Sequence, residues 1–122
     1  MKDREVVNIN SALDQVSEQW SPKILAQVNS QYVKVAKIQN EFVWHKHDDE
    51  DELFFIIKGH LKMQYEDKTI ELSEGDMHVV PKGVMHNPVA EDECWIMLVE
   101  PVGTAHTGDV ITDRTRSLDE QL

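Results

Sequence analysis

The chain has 122 residues, 40% of them hydrophobic, enough for one domain with one modest core. Its 23 acidic side chains against 12 basic ones give a net charge of −11, which disfavours nucleic acid and anionic membrane surfaces, since both need basic patches. No apolar run approaches the roughly 20 residues of a membrane span. The start, Met1-Lys2-Asp3-Arg4-Glu5, lacks the apolar core of a signal peptide, and the single cysteine, Cys94, cannot form an internal disulfide. A cytoplasmic protein is the expectation.

Taken in order, the chain opens with a short apolar patch at Val6, Val7 and Ile9, which suits an edge strand. Ser11 to Trp20 reads as one short helix. Ser11 can cap it with Asp14 three residues on, and Leu13, Val16 and Trp20 recur at helical spacing. Pro22 ends it, and the helix is expected to pack on the outside of the strands. Strands are predicted at Lys23 to Val28 and Tyr32 to Ile38, the second with Tyr32, Lys34, Ala36 and Ile38 on one face. Phe42 to His47, Glu52 to Lys58 and Leu61 to Tyr65 come next. Glu66-Asp67-Lys68 turns into Thr69 to Leu72, and Met77 to Val80, Val84 to Ala90 and Cys94 to Glu100 complete the set. Many short strands with regular turns point to an all-β barrel or sandwich. Leu53 to Ile57 is apolar on both faces, so its outer face needs a cover from the same chain or a second subunit. Three regions result: an extension over 1–22, strands over 23–100, and a loop and polar tail over 101–122.

Two stretches carry the chemistry. In the first, Trp44 to Gly59, His45 and His47 are two residues apart. On a helix they would diverge by about 200°. On a strand they share a face, roughly 6.5 to 7 Å apart, close enough for both imidazoles to reach one metal ion at about 2.0–2.1 Å. An acidic run, Asp48 to Glu52, comes directly after them. If Asp48 to Asp51 reverse the chain, Glu52 on the next antiparallel strand can swing back to the histidines. Asp51 and Glu50 compete for the same role. In the second stretch, Gly75 starts a short strand, Pro81 and Gly83 mark a bend, and His86 stands early in the next strand.

With these residues the chain resembles the cupins. Their first motif, Gly-x5-His-x-His-x3–4-Glu-x6-Gly, is met by His45, His47, Glu52 and Gly59, and their second, Gly-x5-Pro-x-Gly-x2-His-x3-Asn, by Gly75, Pro81, Gly83 and His86. Gln39 stands where the leading Gly would be, and Ala90 where the closing Asn would be. The resemblance covers Ile24 to Val99. It implies an all-β fold, a small antiparallel cupin (jelly-roll) barrel with one short N-terminal helix, and a metal held by His45, His47, Glu52 and His86. It also implies a homodimer, to which the strand face Leu53, Phe55, Ile57 and the helix residues Leu13, Val16 and Trp20 offer apolar surface. Within the family, the nearest pattern is the short single-domain type often compared with mannose-6-phosphate isomerase, an analogy of fold.

Three imidazoles and one carboxylate suit Mn, Fe, Co, Ni, Cu or Zn and disfavour an all-oxygen Ca or Mg cage. A dication with one carboxylate keeps about +1 of formal charge, which favours a small oxygen-bearing ligand. The expectation is a metal-dependent enzyme on a small oxygen-rich molecule, by dioxygenase, isomerase or lyase chemistry. The alternative is a metal-dependent binding or sensing protein. On strand parity, Phe54 and Met63 are expected to line the cavity, and His78 is the candidate acid–base group. His60 is expected at the surface, His106 lies in the tail loop, and Cys94 reads as a buried strand residue.

Overall fold

The structure, a computed structural model, describes residues 4–105, 107–108 and 117–122. Seven antiparallel strands carry it: β1 Lys23–Val28, β2 Gln31–Glu41, β3 Glu52–Lys58, β4 His60–Tyr65, β5 Thr69–Ser73, β6 Met77–Val80 and β7 His86–Pro101. They run in the order β1-β2-β7-β3-β6, while β4 pairs with both β5 and β7. The strands form a jelly-roll barrel, as expected from the many short alternating segments.

The long strand β7 makes the barrel possible. The sequence predicts two strands, Val84 to Ala90 and Cys94 to Glu100, and the structure joins them. Residues His86 to Val89 pair with Tyr65 to Lys62 of β4. Trp95 to Val99 pair with β3, and Cys94 to Pro101 with β2. Between the halves, the partner of β2 jumps from Cys94 opposite Ile38 to Ala90 opposite Asn40, so Glu91-Asp92-Glu93 bulges outward, exposed. Bulges bend a strand and let it serve two sheet directions. Asn40 takes φ 65° at the same place. Asparagine tolerates that conformation better than most residues, so Gln39 can occupy the position of the family's leading glycine.

Inward residues of both halves build one core: Ile38, Phe54, Ile56, Leu61, Met63, Leu72, Ile96 and Leu98, with Cys94 among them. Full burial of such side chains stabilises by about 1.5–3 kcal/mol each. Gly59 turns β3 into β4 directly above Cys94. A Cβ there would lie 3.1 Å from the Glu93 carbonyl oxygen and 3.2 Å from the Cys94 Cα, and the φ of +96° suits glycine alone.

The N-terminal helix differs from expectation. Helix α1 spans Ile9–Asp14, capped by Asn8, whose side chain accepts from the Ser11 amide at 2.9 Å. The cap is Asn8 rather than Ser11, because one turn earlier an equally good cap is available. Val6 and Val7 are exposed and lie outside the strands. Leu13 and Val16 pack outside the barrel with Val35, Ile57, Trp95 and Met97. Trp20 does not continue the helix. It takes φ 59°, donates its amide to the Lys37 carbonyl at 2.8 Å, and packs into the interior core. A short helix α2, Leu118–Gln121, lies against β1. Among the described residues no helix is long and apolar enough to cross a membrane.

Candidate metal centre

Strand register brings the predicted ligands together. Glu52 opens β3, opposite Val80 of β6, with its side chain inward beside those of Phe54 and Ile56. His86 opens β7, opposite Tyr65 of β4. Phe42 to His47, expected as a strand, is not one. Only His45 pairs, in an isolated bridge to His86 with reciprocal amide bonds of 3.0 and 2.9 Å. The histidine pair is therefore held by this bridge, by the Gly83 amide, which donates to the His47 carbonyl at 2.7 Å, and by side-chain packing. Trp20 stacks on Phe42 at 4.5 Å, and Phe42 meets the His45 ring edge-on at 5.4 Å.

His45, His47, Glu52 and His86 are all buried, and one ligand atom from each lies within 4.8 Å of all the others. His47 Nε2 is 3.5 Å and His86 Nε2 3.9 Å from the same Glu52 oxygen. Around an octahedral ion with bonds near 2.1 Å, adjacent ligand atoms sit about 3 Å apart and opposite ones about 4 Å, so a small inward adjustment suffices. The tautomers suit this too. His45 Nδ1 meets the Val43 carbonyl at 2.8 Å, and His86 Nδ1 meets the Val84 carbonyl at 2.9 Å. A carbonyl only accepts, so each Nδ1 carries the proton and each Nε2 offers a lone pair. His86 Nε2 is buried with no hydrogen-bond partner. A polar atom left so is costly, and a metal ion would satisfy it. Burial holds the His86 imidazolium down, to a pKa of about 4, against the Val84 carbonyl that favours it. Among the acids of the loop, Glu52 is the carboxylate that joins the histidines. Asp51 instead accepts from the Lys82 amide at 2.9 Å.

The cavity beside this cluster is lined by His45, Glu52, Trp20, Phe42, Phe54 and Ile96, among others, with about 40 Å³ of free space. Phe54 lines it. Met63 does not: it is fully buried in the core. His78 pairs opposite Phe54 and so points to the same side of the sheet, but it sits at the barrel's rim in a shallow depression with Tyr65, Lys68 and Pro81. There its Nε2 lies 2.6 Å from the Tyr65 hydroxyl. Burial, with the Lys68 charge, lowers the His78 pKa, and burial raises that of Tyr65. His60 is exposed, held by Ser73 and Glu71, and His106 lies outside the described residues.

Three groups escaped the sequence reading: Tyr65, and the pair Lys34 and Glu100. Lys34 and Glu100 are completely buried, 2.6 Å apart. The signal was available. Lys34 shares its strand face with Ala36 and Ile38, and a charge on a core-facing position calls for a buried partner.

Comparison with known proteins agrees with this geometry. Residues 31–100 match the family model described as a cupin domain. A cupin-2 domain containing protein from Shewanella frigidimarina is 43% identical, with a TM-score of 0.77 over 79% of this chain and 94% of that one. Protein NMB1881 from Neisseria meningitidis is 30% identical, with a TM-score of 0.73 over 80% of this chain and 99% of that one. The uncharacterized protein YdbB of Bacillus subtilis is 34% identical over 80 residues, 65% of this chain and 71% of that protein. With the family's barrel, both of its motifs and a buried His-His-Glu-His cluster that could hold a metal ion, this chain belongs to the cupins.

Proposed function

We propose that the protein is a metal-dependent enzyme acting on a small oxygen-rich molecule, by dioxygenase, isomerase or lyase chemistry. His45, His47, Glu52 and His86 would hold one divalent transition-metal ion, Mn, Fe, Co, Ni, Cu or Zn. The observation that carries the reading is the buried His86 Nε2, aimed at the Glu52 carboxylate and lacking any hydrogen-bond partner. When bound, such an ion polarises a substrate oxygen or lowers the pKa of water on it.

The chain's own residues supply the rest. Trp20, Phe42 and Phe54 line the approach with apolar surface and keep water out of the narrow cavity. That strengthens charge interactions inside it. Tyr65 and His78 form a linked pair at the rim that can hold or move a proton: a neutral His78 accepts from the phenol. The acidic surface favours neither nucleic acid nor membrane, and a cytoplasmic homodimer is part of the same reading.

A paired experiment tests it. Thermal shift with a panel of small keto, hydroxy and sugar acids, on Mn, Fe, Ni and Zn forms, finds ligands through stabilisation. Each hit then goes to product analysis with and without oxygen. Product formed only under oxygen means a dioxygenase, and product under both means an isomerase or lyase. Tight metal-dependent binding without product from any form means a binding or sensing protein instead.

A further inference from the structure

Behind Glu52 runs a row of buried polar side chains that the metal chemistry does not use. The register that sets Leu53 opposite Val99 puts Glu52 beside Glu100 across the β3–β7 ladder. On the other flank of β7, Lys34 of β2 sits two residues along from Tyr32, which faces Glu100. All three buried side chains point inward. Lys34 Nζ lies 2.6 Å from Glu100 Oε1 and donates to Gln121 Oε1 at 2.5 Å. Gln121 comes from α2 and is itself buried. Its amide nitrogen donates to the Ser117 carbonyl at 3.2 Å. The row thus reads Gln121, Lys34, Glu100, Glu52, from the C-terminal helix to a metal-ligating carboxylate.

A lysine and two carboxyl groups are an expensive set to bury. Nothing about barrel stability asks for them, since three apolar side chains would fill the same volume. Glu100 stands next to Glu52 across the β3–β7 ladder. We propose that Glu100, fixed by Lys34 and through it by Gln121, is the positioning residue that sets the orientation of Glu52 toward the metal.

The register that sets Glu100 beside Glu52 across the β3–β7 ladder agrees with this. Outer partners of this kind typically change metal affinity by about 10–100-fold.

The inference rests on the metal reading, and the experiment separates the two. Zn²⁺ affinity is measured by competitive titration, and Co²⁺ geometry by visible absorption, on the full chain. Wild type, Glu100→Ala, Glu100→Gln, Gln121→Ala, Glu52→Ala and the Glu52→Ala/Glu100→Ala double variant are compared. Glu100→Ala should weaken Zn²⁺ by about 10–100-fold and change the Co²⁺ spectrum. Glu100→Gln should stay near wild type, because a carboxamide can accept from Lys34 and donate to Glu52. Once Glu52 is alanine, three imidazoles still bind Zn²⁺, though more weakly, and the Glu100 change should weaken it no further. Wild-type affinity in Glu100→Ala would overturn the inference and leave the metal reading standing. So would an equal loss in the Glu52→Ala background, which means general loosening. A wild type that binds neither ion overturns both. If Glu100→Ala does not fold, Gln121→Ala decides: a wild-type Co²⁺ spectrum and Zn²⁺ affinity there refute the row, and a measurable loss of either supports it.

Discussion

The Tyr65 hydroxyl lies 2.6 Å from His78 Nε2 and bridges β4 and β6, two strands that do not pair with each other. The bond crosses the rim of the barrel from β4 to β6. It joins residues that are 13 positions apart.

If this pair moves the proton, His78→Ala should keep its metal while turnover falls by about 10²–10⁴. Tyr65→Phe should fall less, because the imidazole remains. The pH dependence follows from the direction of the shift. His78 works as a base when neutral, and its pKa is below the ordinary 6.5. The acid limb of kcat/KM should therefore lie below pH 6.5. The same group contributes stability that is present above that pH and lost as the pH falls through its folded value. A limb unchanged in His78→Ala would exclude the residue as the base.

For the metal, one transition-metal ion per chain is expected. His47→Ala or His86→Ala should lose most of it, because the ligands that remain cannot fix the geometry. Elemental analysis of the purified proteins measures this directly. Full occupancy in the double variant would sink the assignment of these ligands.

Gly108 tests the approach of the tail to the site. It takes φ +63°, and a Cβ there would overlap the Lys46 carbonyl and come within 3.2 Å of His45 Cδ2. Gly108→Ala should cost about 1–3 kcal/mol and weaken metal binding through His45. Denaturant melts and a Zn²⁺ titration check both, and unchanged affinity would show that His45 is held without the tail.

Assembly gives the last prediction. Helix α1 covers Ile57, Trp95 and Met97 on the outer face of the sheet. Beyond it, Leu53 stands opposite Val79 and Phe55 opposite Met77, with Val79 45% and Met77 66% exposed. Such an apolar strip on an edge strand invites a second copy, and a symmetric dimer is expected. Light scattering at micromolar concentration should give twice the chain mass, and Met77→Asp should halve it. A monomeric wild type would contradict the dimer.

Much of this was legible in the residues. β1, β3 and β6 were located to the residue because turn formers and breakers mark their ends: Pro22 and Asn29-Ser30 around β1, the acidic run and Gly59 around β3, Gly75 and Pro81 around β6. Motif spacing selected the four clustered side chains, since each ligand sits at a strand start or beside one. What stayed hidden depends on contacts between distant segments. Phe42 to His47 alternates like a strand, yet Trp20 and the His86 bridge hold it, and neither is local. Trp20 keeps helical spacing with Leu13 and Val16 but turns inward, because the chain reverses hand at its own φ. The charged run Glu91-Asp92-Glu93 reads as a break between strands, but all three residues bulge into solvent and β7 passes through unbroken. Glu100 looked like a strand's polar end, and its partner Lys34 is 66 positions away.

Cys94 sits fully buried beneath Gly59, with its thiol pushed up to about 12 by burial. Only a thiolate attacks an alkylating reagent, so the intact barrel should be inert to it. The chain therefore carries its own clock: each alkylated molecule records one opening of the β3–β4 turn away from β7. Labelling rates followed by mass, with and without added metal, would time that opening in the native protein, with no engineered probe.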